Sequence, residues 1–238
     1  MPPGEGRAGP VMYRLHASPG RFVAGDLFDF IPIDADRTAV LLGDVVGKGI
    51  AAGMVMANIQ AHLMRLLTHT CDPAKAVTEV SALLHRSSDR YAKETDGAPL
   101  FLSIWVGVID RRAGSVIYVD GGHGHWLVRR ADGETAQPQT QRGMLVGVMP
   151  DAVYASESFP FAAGDRVVLF SDGVIEQRSP EGDEFGLVRV RDLLRTSADV
   201  GEDVRRIIEA VTKHAGTAAP GADSAFADDV TVASIGMA

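Results

Sequence analysis

"VLLGDVVGKGIAA", residues 40–52, carries an apolar run straight into Asp44 and then through a lysine set between glycines. Residues 38–43, "TAVLLG", read as a buried strand from their continuous apolar character and β-branched content. A carboxylate at the end of such a strand is expensive to ionise unless something compensates it. Three readings are open: a phosphate-cradling loop, an ordinary turn, or an aspartate that holds a positive charge. A phosphate loop requires GxxxxGK[ST], whereas here three residues separate Gly43 from Gly47, and Gly49 stands where Ser or Thr would bind Mg²⁺. That reading is set aside.

Outward from this stretch, Gly47 and Gly49 break the strand, and a helix is expected from about Ile50 to Thr68, with Val55, Ile59, Leu63 and Leu66 on one face. Asp72 and Pro73 form an N-cap and first-turn pair for a second helix, with Val77, Val80, Leu84 and Tyr91 on its core face. Strands return at 100–110 and 115–120, joined by "RRAG", and continue through "HWLVRR" to the turn signal "ADGE". "DRVVLFSDG" (165–173) reads as a further buried strand. Helices at 187–195 and 202–214 and a last strand at 229–236 complete the pattern. Segregated runs of strands and helices predict an α+β fold, a layered β-sandwich flanked by helix pairs. Residues 1–18, opening with the Pro/Gly-rich "MPPGEGRAGP", read as a flexible leader, and residues 19–238 as a single domain.

The bulk numbers exclude several classes. A net charge of −8, with no basic run of five or more residues, disfavours nucleic acid as a partner. One cysteine cannot form an internal disulfide, no apolar run is long enough for a membrane span, and the amino terminus lacks a signal peptide. The expected location is the cytoplasm, away from membranes.

The carboxylate question widens along the chain. Asp172 follows "VVLFS", Asp228 precedes "VTVASI", and Asp26 sits in "FVAGDLFDF". One strand-end aspartate is usually a turn former. Four of them, Asp26, Asp44, Asp172 and Asp228, can converge if their strands pair, and clustered carboxylates ionise cheaply only around a multivalent cation. Oxygen-only ligands select hard cations such as Mg²⁺ or Mn²⁺, and a pair of such ions is a known device for turning water on a phosphate ester. Other chemistries fit less well. Cys71 in "CDPAKAV" has no following arginine to hold a phosphate, and no GxSxG elbow is present. The histidines of "GGHGHW" (121–126) have a zinc-compatible spacing but no third ligand nearby, and the stretch reads as a glycine-rich bend with His123 hydrogen-bonded near the sheet edge.

"AGDLFDF", "VLLGDVVGKGIAAGMVMA", "DGGHGHWLVRR", "GVMPDAVY", "VVLFSDGVIEQRSPEGDEFG" and "ADDVTVASI" occur in this order. Together they resemble the SpoIIE/RsbU branch of the metal-dependent (PPM-type) serine/threonine phosphatases, over nearly the whole chain from about residue 20. The resemblance implies a sandwich with α-β-β-α layering and two Mn²⁺ or Mg²⁺ ions. It makes Asp44 the aspartate bridging the two ions, Val45 a backbone-carbonyl ligand, Asp26 a ligand of the second ion, and Asp172 and Asp228 ligands of the first, with Asp229 the alternative to Asp228. Lys48 matches the loop before the first helix and can attract the phosphate. Ala24, Val46 and Asp120 depart from the family pattern, but no ligand is lost, which implies an active enzyme. The implied substrate is a phosphorylated STAS-domain anti-anti-sigma protein of a partner-switching pathway. A homodimer through helices 50–91 and a separate sensor protein are further expected partners. The competing reading is a regulatory binding module of the same fold with weak or no phosphatase activity.

Overall fold

The computed structural model describes residues 2, 4–18, 26–46, 50–95, 100–138, 143–216, 226 and 228–238. In chain order the first elements are β1 (Glu5–Ala8), β2 (Val11–Ser18), β3 (Asp26–Pro32), β4 (Arg37–Val45), α1 (Ile50–Thr70) and α2 (Pro73–Thr95). β5 (Leu102–Asp110), β6 (Ser115–Gly121), β7 (Trp126–Arg129), β8 (Thr135–Ala136), β9 (Glu157–Pro160) and β10 (Arg166–Phe170) follow. The short α3 (Asp172–Ile175), α4 (Gly186–Arg195), α5 (Val200–His214) and β11 (Val230–Met237) complete the series. The chain divides into two compact units, one built mainly from Gly25–Gly124 and Gln139–Phe161, the other from Pro3–Ala24, His125–Pro138 and Ala162–Ala238.

The first unit is an antiparallel sheet in the order β3-β4-β5-β6-β9 with α1 and α2 on one face. Alternation along β4 decides what faces the helices. Ala39, Leu41 and Val45 join Ile59, Leu63, Leu67, Val77, Val80 and Leu84 in one apolar cluster. Thr38, Val40, Leu42 and Asp44 therefore share the opposite face. Since Thr38, Val40 and Leu42 are also fully buried, β4 reads as a continuous apolar run until Asp44 ends it. Asp72 caps α2 as expected, its side chain accepting the Lys75 N–H at 3.1 Å. Tyr91, expected on the same core face, lies outside the described side chains.

The second unit is an antiparallel sheet in the order β1-β2-β11-β10-β7-β8, with α4 and α5 packed on it through Val190, Leu194, Val204, Ile207 and Val211. The reading of residues 1–18 as a flexible leader is corrected here. Residues 5–18 form β1 and β2, and β2 pairs with β11 over eight positions from Ser18↔Val230 to Val11↔Met237. The physical reason is the alternation in "VMYRLHAS": Val11, Tyr13 and Leu15 are buried, while Met12 and Arg14 are exposed. The Pro and Gly residues ahead of that stretch had masked it.

α5 is pinned to the sheet by a buried charge. Asp203, fully buried in its first turn, receives Arg166 Nε from β10 at 2.6 Å, Arg166 Nη2 at 3.2 Å and Ser234 Oγ from β11 at 2.6 Å, and Ser197 Oγ as well. A bidentate guanidinium pair with every lone pair engaged is the arrangement in which a buried ion pair is tolerated. Removing one partner strands the other. Asp203→Ala should therefore cost about 3–5 kcal/mol in urea unfolding. The double variant Arg166→Met/Asp203→Leu should lose clearly less than the single one, and equal losses would contradict this account.

Candidate functional site

Two groups of carboxylates stand out, one in each unit. In the first, the β3–β4 register sets Asp26 directly opposite Asp44. Side chains at opposed antiparallel positions have Cβ atoms roughly 4.5–5.5 Å apart, and like charges placed there repel. Asp26 is only 7% exposed and Asp44 is half-buried, so water screens the pair only in part. The strand cannot relax away from this arrangement. Gly43, just before Asp44, lies so close to β5 that a Cβ there would come within 2.8 Å of the Ser103 carbonyl oxygen. That contact explains the glycine in "LLGD". After Val45 the Val46 N–H donates to the Phe101 carbonyl at 2.9 Å, and the chain then enters residues 47–49. Gly47, Lys48 and Gly49 lie outside the described residues.

In the second unit the strand expected over 165–173 stops at Phe170, Ser171 is the N-cap, and Asp172 opens α3. Ser171 fixes its surroundings. The Ser171 hydroxyl donates to the Asp229 carbonyl at 2.9 Å and accepts the Thr231 N–H at 2.9 Å, while the Ser171 N–H donates to the Thr231 carbonyl at 2.9 Å. One serine thus staples the end of β10 to the segment that carries Asp228 and Asp229. Gly173 is required there because a Cβ would lie 2.2 Å from the Asp229 carbonyl oxygen. The "SDG" triplet is accordingly a serine staple, a presented carboxylate and a glycine forced by contact.

A cleft of roughly 140 Å³ lies at this point, lined by Asp172, Gly173, Glu176, Gln177 and Asp228. Asp229 contributes its carbonyl to the Ser171 hydroxyl and is absent from that lining, and its N–H donates to the Asp228 carboxylate at 3.0 Å. Partial desolvation, then the charges of Asp172, Glu184 and Asp228, push the Glu176 carboxyl above its usual range, with Arg178 opposing. Glu176 and Gln177 were not singled out from the sequence. The signal was present: Glu176 stands one helical turn after Asp172, so both fall on one side of α3.

Among the described residues no three His, Cys, Asp or Glu side chains come close enough to enclose a metal ion by themselves. The zinc reading of His123 and His125 gains nothing: His123 is buried in a turn where its N–H donates to the Asp120 carboxylate at 2.7 Å. The aspartates, by contrast, offer oxygen donors only, and in each unit they crowd like charges together. That donor set fits a hard divalent cation, which would relieve both repulsions.

Comparison with known proteins agrees with this chemistry. The sequence profile of the family described as Stage II sporulation protein E (SpoIIE) matches residues 34–237. Phosphoserine phosphatase RsbU of Bacillus subtilis is 24% identical over 164 residues, covering 69% of this chain and 46% of that protein. The chain spans between 33% and 46% of the length of three curated relatives it matches. The PP2C phosphatase domain of the cell fate determinant SpoIIE from Bacillus subtilis superposes with a TM-score of 0.74 at 19% identity, covering 98% of this chain and 64% of that one. RsbX, solved in complex with magnesium, gives a TM-score of 0.66 at 16% identity and covers 98% of both chains. The fold is thus the α+β fold of PP2C-type phosphatases.

If Asp26 and Asp44 repel when no cation is present, Asp26→Asn should stabilise the cation-free protein by roughly 0.5–1 kcal/mol, the scale of cross-strand pair terms. The same variant should lose most of the rise in Tm that Mn²⁺ gives the parent chain. Calorimetry with and without Mn²⁺ reads both, and a destabilised variant that keeps its Mn²⁺ response would contradict the account.

Proposed function

Matched over residues 34–237, the chain belongs to the SpoIIE family, and on that premise we propose that it is a divalent-metal-dependent protein serine/threonine phosphatase. The observation that carries this reading is the Asp26–Asp44 opposition, a buried carboxylate set across from a half-buried one, a like-charge pairing that a bound cation would favour. We assign Asp26, Asp44 and the Val45 carbonyl in the first unit, and Asp172 and Asp228 in the second, as Mn²⁺ or Mg²⁺ ligands, the roles that the family resemblance implies for two such ions. Asp228 is preferred to Asp229 because it lines the cleft with Asp172. Bound cations of this kind neutralise phosphate charge and make water acidic enough to attack phosphorus at neutral pH.

The chain's own residues have positioning roles in this reading. Ser171 and Gly173 hold Asp172 and Asp228 together, Gly43 lets β4 approach β5 so that Asp44 stays opposite Asp26, and Lys48 draws in the phosphate. No side chain has to form a phosphoenzyme. Cys71 is the lone cysteine, half-buried in a left-handed turn (φ 53°) between α1 and α2, with its N–H donating to the Leu67 carbonyl.

The proposed substrate is a phosphorylated STAS-domain anti-anti-sigma protein in a partner-switching pathway, which the family resemblance implies. A homodimer through α1 and α2 is supported by the outer face of α1, where Met54 (70% exposed) and Met64 (44%) flank exposed Ala57 and Ala61 at helical spacing. A separate sensor protein could act on the same face. That face also favours the alternative reading, a regulatory module that binds a partner without turnover. We place the protein in the cytoplasm, and its net charge of −8 argues against nucleic acid. No helix among the described residues is long and apolar enough to cross a membrane.

Purified protein with Mn²⁺ should hydrolyse p-nitrophenyl phosphate, and EDTA should abolish the activity. Asp44→Asn and Asp172→Asn should each lower kcat at least ~100-fold, as loss of charge stabilisation at a reacting phosphate does. Turnover that survives EDTA, or an unaffected Asp44→Asn variant, would refute the mechanism. Partner binding with no turnover would favour the regulatory module.

A further inference from the structure

β9 pairs with β6 only from Ser115 to Tyr118, and where it stops a cavity of about 310 Å³ opens beside the remainder of β6. Tyr118, Tyr154, Met144 and Val153 supply aromatic and aliphatic surface in its lining, and Asp120 and Glu157 supply carboxylates. No Lys, Arg or His stands among the described lining residues. The ligands assigned to the divalent ions are not part of it.

The cavity is held in shape from two sides. The Tyr118 hydroxyl donates to Glu157 Oε2 at 3.0 Å, which fixes that carboxylate. The segment forming the outer wall is gripped by α2: the Gly147 N–H donates to Ser81 Oγ at 3.0 Å and the Tyr154 N–H donates to Thr78 Oγ1 at 3.1 Å. His85 Nδ1 sits 3.0 Å from the Gly147 carbonyl, and the Tyr154 hydroxyl donates to the Leu145 carbonyl at 3.1 Å. At the mouth, Val153 is 84% exposed and Met144 49%. An apolar rim over a preformed, acidic interior is the surface that a long cationic side chain matches, its methylenes on the rim and its charge inside.

Its position bears on the proposed reaction. Asp120 pairs with Trp105, and Trp105 pairs with Leu42, so Asp120 lies two strands from β4 and two residues short of Asp44, on the same sheet face. Strand spacing and rise put the two Cα atoms ~10 Å apart across the sheet and ~7 Å along it. The resulting ~12 Å equals three or four residues of extended chain.

We propose that this cavity is a recognition pocket for a lysine or arginine side chain of the phosphoprotein substrate, about three or four residues from the phosphorylated residue. The proposal rests on the phosphatase reading above. It makes Glu157 and Tyr154 determinants of substrate choice with no part in bond breaking.

The test uses the full chain with Mn²⁺, p-nitrophenyl phosphate, and phosphoserine peptides that differ only in carrying Arg or Gln three or four residues before or after the phosphoserine. In the parent enzyme one Arg peptide should exceed its Gln counterpart about tenfold in kcat/KM, through KM, the scale of one partly desolvated charge contact. In Glu157→Gln that ratio should fall to within about twofold. Val153→Trp, which plugs the mouth from an exposed position, should remove the preference by a second route. Turnover of p-nitrophenyl phosphate and of all peptides without discrimination would overturn the pocket and leave the phosphatase reading standing, as would a preference that persists in both variants. Absence of any turnover would overturn both.

Discussion

The structure depends on a repulsion. An antiparallel register sets Asp26 against Asp44, so two carboxyl groups face each other across the strands, one buried and one half-buried. Gly43 resists a slip of β4 along β5, since any side chain in its place would run into the Ser103 carbonyl. The core therefore enforces an arrangement that the carboxylates alone would not adopt. Like charges held together by packing elsewhere recur at functional sites.

Glycine has a second role in the same design. Gly43 and Gly173 sit next to the two best-placed aspartates, and both are required by close backbone approach rather than by an unusual turn. A methyl group at Gly43 would push β5 away, and one at Gly173 would push away the segment bearing Asp228. Each unit thus presents its carboxylate by packing backbone against backbone, which fixes the position better than packing through side chains with rotamer freedom.

Much of this was legible in the chain. Helix positions followed from the spacing of Ile59, Leu63 and Leu66 and from the Asp72–Pro73 start, because local capping and periodicity decide them. The strand before Asp44 was clear for the same reason. Three things were not. Residues 11–18 alternate as a strand does, but their pairing with β11 joins residues more than two hundred positions apart, which no local pattern reveals. The opposition of Asp26 and Asp44 is a matter of register, so the sequence showed two acidic strand margins and not their pairing. The ion pair of Arg166 with Asp203 was invisible too, since an arginine and an aspartate thirty-seven positions apart look like ordinary surface charges until burial is known.

The place of β2 has a practical side. It lies between β1 and β11, so it supplies the partner that closes one flank of the terminal strand. A recombinant fragment begun at residue 19 would keep every aspartate considered above and look complete by its motifs. It would nonetheless leave Val232, Ala233 and Ile235 on a bare, flat margin with unsatisfied amides, an invitation to self-association in the test tube. The pairing that covers this margin starts at Ser18↔Val230, two residues from Asp228.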